Sequence, residues 1–157
     1  MKFPSPSNHY QQEHVQLLCS SYRHWTGKPL LPGSHTDAEL AQSIFEAPFA
    51  VLSHGTEDNP ILNYSNQIGL ELFEMTWDEW TSMPSRHTAE PMLREERAAL
   101  MRRVTENGFI DDYSGTRISK SGKRFFIEQA TVWNLIDSEG IYRGQAATFS
   151  DWVAAAG

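Results

Sequence analysis

The sequence predicts an α+β fold: a five-stranded antiparallel sheet with helices on one face, preceded by N-terminal helices. Three observations predict it. Phe109 to Asp151 reads as three strands in a row, broken only by the short turns Ser121-Gly122 and Asp137-Ser138-Glu139-Gly140. Short turns force neighbouring strands to run antiparallel, so this stretch is a meander. Upstream, Phe49 to His54 and Pro60 to Tyr64 flank the turn Gly55-Thr56-Glu57-Asp58-Asn59 and form a hairpin. Between hairpin and meander lie stripes of apolar residues at helical spacing, which supply a cover for the sheet.

Each element has a local cause. Met1 to Ser7 is rich in Pro and Ser. From Asn8 to Trp25, Val15, Leu18, Tyr22 and Trp25 share one helical face, and Gly27 is a stop. Thr36-Asp37-Ala38-Glu39 is a capping box that opens a helix carrying Leu40, Ala41, Ile44 and Phe45, ended by Pro48. Ser65 is the expected cap of a helix with the stripe Ile68, Leu72, Met75. Thr76 to Glu79 is a second capping box, for a short helix ending before Pro84. Pro91 is expected to start a long helix with Leu93, Leu100, Met101 and Val104 inward, stopped by Asn107-Gly108. Within the meander, Phe125, Phe126, Ile127, Thr131, Val132 and Trp133 make Arg124 to Ile136 the most strand-like run in the chain. Three parts are expected: an N-terminal helical extension and linker over 1–33, the main domain over 34–152, and a tail over 153–157.

Composition excludes several classes of function. With 157 residues, 39% hydrophobic and 21% charged, the chain is an ordinary globular one of single-domain size. A formal net charge of −7 argues against direct nucleic-acid binding, which needs clustered Lys and Arg. Cys19 is the only cysteine, so there is no internal disulfide, in keeping with a reducing, cytoplasmic setting. No apolar run reaches the ~18 residues of a membrane span, and the N-terminus has no signal-peptide core.

The element order, with the segments PFAVLSHG (48–55), DNPILNYSNQIGLELFEMTWDEW (58–80) and SGTRISKSGKRFFIEQATVWNL (114–135), resembles the bacterial, stand-alone proteins of the MEKHLA family, a PAS-like family. The resemblance covers roughly Asn8 to Trp152. It implies a sensory or interaction module and not an enzyme. Such domains hold a small molecule, or nothing, between the sheet's inner face and the helices, and often dimerise. The segment 58–86 also resembles light-oxygen-voltage flavin domains. Aligned without gaps, their adduct-forming cysteine falls on Ser85 and the following arginine on Arg86. A serine hydroxyl cannot supply the soft, readily ionised nucleophile of that photochemistry. No cofactor is therefore expected, with flavin held without an adduct, or haem on His87, as alternatives.

The same comparison puts Arg117 and Ile127 on the inner face. Alternation along a strand then places Tyr113 and Gly115 with Arg117, and Gln129, Thr131 and Trp133 with Ile127; Gln145 joins from the last strand. The candidate ligand-binding set is Arg86, Tyr113, Arg117, Gln129, Trp133 and Gln145, fit for a small polar or anionic molecule. In the alternative, Arg117 pairs with Asp111, Asp112 or Glu128, the amides satisfy backbone groups, and Trp133 is core. No catalytic residue and no metal site is nominated: Asp111 and Asp112 point to opposite faces of a strand, and no histidine pair has ligand spacing. The expected function is a PAS-like module that binds an unknown small molecule and signals through protein contacts. An apo dimerisation module, or a small enzyme with one buried carboxylate as general base, are the alternatives. The Leu18, Tyr22, Trp25 stripe is expected to cover the sheet's outer face in its own subunit or in a second copy, and a homodimer is expected.

Overall fold

The computed structural model describes residues 1–89 and 94–154. Helix α1 (Gln12–Thr26) buries Val15, Leu18 and Ser21 and stops at Gly27, which takes φ 73°. Its expected beginning at Asn8 is instead a 3-10 turn, Pro6–Asn8. His9, Tyr10 and Gln11 follow with positive φ, so the helix cannot start before Gln12. In α2 (Asp37–Phe45) the Thr36 hydroxyl accepts from the Glu39 N–H at 3.2 Å, which is the N-cap half of the expected capping box. The hairpin strands are β1 (Ala50–His54) and β2 (Leu62–Ser65).

Asn66, not Ser65, caps α3 (Gln67–Phe73). Its Oδ1 accepts from the N–H groups of Val51 and Gly69, and its Nδ2 donates to the carbonyls of Ile44 and Phe49. One fully buried amide thus ties α2, β1 and α3 together. Thr76 and Glu79 close the expected capping box on α4 (Trp77–Trp80). Helix α5 (Arg94–Asn107) ends at Gly108. The expected helix start at Pro91, and the inward Leu93, lie outside the described residues.

The meander strands are β3 (Phe109–Ile118), β4 (Arg124–Ile136) and β5 (Tyr142–Phe149). A further short strand, β6 (Asp151–Ala154), was not expected. The sheet runs β2-β1-β5-β4-β3, and β6 continues past the end of β5 to pair with the first half of β4.

The register shows which residues share a face. Ser53, Ala146 and Trp133 form one row across β1, β5 and β4; Leu52, Ala147 and Val132 form the next. Neighbouring rows face opposite sides. The row containing Trp133 faces α1: the Trp133 indole N–H donates to the Leu18 carbonyl at 3.2 Å, and its ring meets Tyr22 edge-on at 5.0 Å. The row containing Val132 faces α5, where Val104 packs with Ile110, Val132 and Ala147. Helix α1 therefore covers the outer face within its own subunit. It is fastened to β4 by the Ser21 hydroxyl at Ile136 and by the Trp25 indole N–H, which donates to the Asn134 carbonyl at 2.9 Å. The Trp25 ring lies so close to Gly108 that a Cβ there would come within 2.1 Å of it, at φ 79°.

Strand β4 changes face halfway. From Tyr113↔Ala130 to Gly115↔Ile127, two steps along β3 are matched by three along β4. The extra residue is a β-bulge, and Gln129 carries it with φ 50°. This corrects the expected alternation. Phe125 and Ile127 are inward, but past the bulge Ala130, Val132 and Asn134 are inward, while Thr131 and Trp133 face α1. Alternation holds only along a regular strand, and one inserted residue reverses every side chain after it.

A non-glycine residue in the left-handed region costs roughly 1 kcal/mol, more if β-branched. Urea unfolding should therefore show Gln129→Val to be destabilised by about 1–2 kcal/mol and Gln129→Gly to be neutral or slightly more stable.

Candidate inner-face site and the α1 seam

The inner face carries a run of polar groups among apolar neighbours. His54, Gln145 and Asn134 form one inward row across β1, β5 and β4. The Gln145 amide N–H donates to Asn134 Oδ1 at 3.3 Å, and Gln145 is the cross-strand neighbour of His54. His54 Nδ1–H donates to the Gly55 carbonyl at 2.9 Å. Burial lowers the His54 pKa; the contacts with Gly55, Glu57 and Gln145 oppose this, and the charge of Arg117 adds to it. The imidazole is thus neutral at pH 7. Gly144 makes this row possible: at φ 129° it lets the β1 end come so near that a Cβ would lie 2.1 Å from the His54 carbonyl oxygen.

On β3, Tyr113 and Arg117 are inward, and the Arg117 guanidinium carbon lies 5.4 Å from the Tyr113 ring centroid. Gly115 sits between them; a Cβ there would be 2.6 Å from the Tyr113 hydroxyl, so only glycine lets the ring lie along the strand. Among the described residues no carboxylate pairs with Arg117. Asp112, one of its expected partners, pairs with Arg103 at 2.8 Å instead. The 3-10 turn Ser85–Thr88 borders this region: Thr88 is buried, and Ala89 forms a single bridge to the Arg117 backbone. Arg86 and His87 on that turn are exposed.

Of the six nominated residues, then, Tyr113, Arg117 and Gln145 share the inner face. Gln129 and Trp133 do not. Gln129 is exposed and lines a shallow hollow of about 230 Å³ with Tyr22, Thr131 and Thr148 on the outer face; Trp133 is locked under α1. Arg86 is exposed beside the region. His54 and Asn134 were missed. Asn134 pairs with Gln145 across the β4–β5 hairpin, so counting back from the turn at 137–140 points to it; His54 meets Gln145 only through the long-range pairing of β1 with β5, which no local signal marks.

The single thiol, Cys19, is on α1, against the opposite face of the sheet, and burial pushes its pKa up to about 12. No thiolate is available to the inner face. The donor set does not fit flavin-adduct photochemistry. Among the described residues no three His, Cys, Asp or Glu side chains converge as a metal site.

A second polar cluster sits in the seam between α1 and the sheet. His14 Nε2 lies 2.9 Å from Ser53 Oγ, and Ser53 donates to Asn63 Oδ1 at 2.6 Å. Ser53 therefore accepts from His14 Nε2–H. The imidazole packs on the Tyr64 ring, with centroids 5.5 Å apart and planes tilted by 31°; the buried Tyr64 hydroxyl has no partner among the described residues, and burial raises its pKa. Burial lowers the His14 pKa to about 4.

Comparison with known proteins places this architecture. It is similar to the PAS domain of a protein from Colwellia psychrerythraea, with TM-score 0.59 and 13% identity over 73% of this chain and 92% of that one. It is also similar to an RNA-binding light-oxygen-voltage receptor, with TM-score 0.61 and 18% identity over 81% of this chain and 35% of that one. These likenesses show the fold, a PAS-type sheet with its helical cover. The MEKHLA domain model matches residues 12–154, and the chain belongs to the MEKHLA family. The match includes α1. Curated relatives include plant homeobox-leucine zipper proteins. HOX29 of Oryza sativa subsp. indica is 22% identical over 126 residues, covering 78% of this chain and 15% of the relative. ATHB-9 of Arabidopsis thaliana is 24% identical over 143 residues, covering 88% and 17%. The chain thus spans about a sixth of the length of such relatives.

Because His14 is neutral in the fold and titrates near its ordinary value when unfolded, the unfolded chain binds the extra proton first as pH falls. Stability should be constant above about pH 6.5 and decline between pH 6.5 and 4, by about 2–3 kcal/mol in total. Urea unfolding across that range checks this; His14→Gln should flatten the decline.

Proposed function

We propose that the protein is a sensory module that holds a small polar or anionic molecule on the inner face of its sheet and signals through protein contacts. The observation that carries this reading is the inward set His54, Tyr113, Arg117, Asn134 and Gln145, in which a guanidinium has no carboxylate partner among the described residues. A cation half-enclosed on an apolar face is costly unless it meets an anion, and here a bound one would supply it. The neutral His54 adds a further polar contact. The inward set contains no carboxylate, which favours binding over the alternative of an enzyme with one buried acid as general base. The reading of a bacterial, free-standing member rests on the sequence resemblance, and that of a cytoplasmic one on the single cysteine; no described helix is long and apolar enough to cross a membrane.

Homodimer formation belongs to the same reading, and the uncovered part of the outer face supports it. Helix α1 stops short of the first half of β4 and of β6. There Phe126 pairs with Val153, which is 58% exposed, beside a hollow of about 480 Å³ lined also by Glu128, Asp151 and Trp152. An exposed apolar patch beside an open strand edge is a ready surface for a second copy.

Native mass spectrometry of protein purified from cells should show a bound organic mass that Arg117→Ala reduces at least tenfold in occupancy; a clean apo mass in both would refute ligand binding. In light scattering, the wild type should be dimeric and Val153→Glu monomeric. An unchanged mass in that variant would move the interface elsewhere.

A further inference from the structure

The polar row on the inner face has a fixed hydrogen-bond direction, because both of its ends are anchored on backbone carbonyls, which only accept. At one end Asn134 Nδ2–H donates to the Val104 carbonyl at 3.4 Å, so Asn134 Oδ1 is the group turned to Gln145. That oxygen accepts from Gln145 Nε2–H at 3.3 Å, and Gln145 Oε1 is left over as an acceptor. At the other end His54 Nδ1–H donates to the Gly55 carbonyl at 2.9 Å. The ring is neutral, so His54 Nε2 carries a lone pair and is an acceptor too. His54 and Gln145 are direct neighbours across β1 and β5. The row therefore runs from both sides into two adjacent acceptors, which cannot satisfy each other. No other side chain among the described residues donates to either. His54, Asn134 and Gln145 are all half-buried, so the pair is within reach of a visiting molecule.

The charges around this pair are of both signs. Beside the dominant effect of burial, Glu57 and Arg117 act on His54 in opposite directions, Glu57 the more strongly. The Glu57 carboxylate is held in place by the Ile61 N–H, which donates to its Oε1 at 3.0 Å. The field at the acceptor pair thus favours a donor with positive character, while the Arg117 guanidinium calls for an anion. The next inward row, Leu52 and Ala147, is apolar and adds no competing polar group. An amino group has enough N–H bonds for two acceptors. A hydroxyl has a single hydrogen, and an anion without N–H groups brings only further acceptors.

We propose that the ligand of the inner face is a small amino-carboxylate, whose carboxylate pairs with Arg117 and whose N–H groups bridge His54 Nε2 and Gln145 Oε1. This rests on the inner face being the binding site and narrows what that site holds.

Isothermal titration calorimetry of the dialysed full chain tests it with three sets of acids. Within a set the skeleton is shared and the variable group is amino, hydroxyl or hydrogen. The sets are alanine, lactate and propionate; phenylalanine, phenyllactate and phenylpropionate; and para-aminobenzoate, para-hydroxybenzoate and benzoate. In at least one set the amino member should bind at least tenfold more tightly than both others. Arg117→Met should weaken that binding at least tenfold. Gln145→Met should bring the amino member to within threefold of its hydroxyl counterpart. Thermal unfolding checks each fold, and His54→Phe replaces Gln145→Met if that variant does not fold. Acids that bind through Arg117 with no preference for the amino group, or a preference that survives Gln145→Met, would overturn the amino-carboxylate assignment alone. No binding by any acid, or binding indifferent to Arg117→Met, would overturn the inner face as an anion site as well.

Discussion

The structure depends on the change of face in β4. A strand that crosses the whole sheet would ordinarily present one set of alternate side chains to each layer. Here an extra residue at Gln129 reverses that set midway. Phe125 and Ile127 can then pack inward beside Phe73, while Trp133, two large steps further on, goes outward beneath α1. Without the reversal the bulky indole would fall on the inner face, and Val132 and Asn134 would turn towards α1. The bulge thus lets a single strand serve two different layers, each with its own filling.

Those layers are held by different chemistry. The outer layer is closed by hydrogen bonds from α1 to the strand backbone and to Trp133, so α1 is part of the sheet's packing and not a loose appendage. Its buried His14–Ser53–Asn63 chain introduces a titratable group into an otherwise apolar seam. The inner layer combines the small Val104 cluster with a polar row, and its glycines at 115 and 144 are placed where a side chain would strike Tyr113 or the His54 backbone. Close approach at these points is what brings His54, Tyr113 and Arg117 to one face.

Much of the fold was legible because its signals are local. Thr36 and Thr76 announce helix starts, Gly27 and Gly108 announce stops, and the β-branched and aromatic run of β4 announces a strand. Ser65 and Asn66 can each cap a helix, and only the tertiary bonds to Ile44, Val51 and Phe49 decide for Asn66. β6 was missed because a four-residue strand gains its identity from its partner in β4. The site was half legible. Tyr113, Arg117 and Gln145 followed from alternation, whereas Gln129 and Trp133 did not, because a glutamine at a bulge leaves no sign in the sequence. Gly or Asn is the usual mark of such a backbone turn.

The face change is tested most directly by solution NMR cross-relaxation. The account predicts close contacts from the Trp133 indole to Tyr22 and Leu18, and from the Val132 methyls to Val104. Contacts from Trp133 to Val104 or Tyr113, with Val132 against α1, would mean that β4 runs straight through Gln129 and that the inner face is built from the other set of side chains.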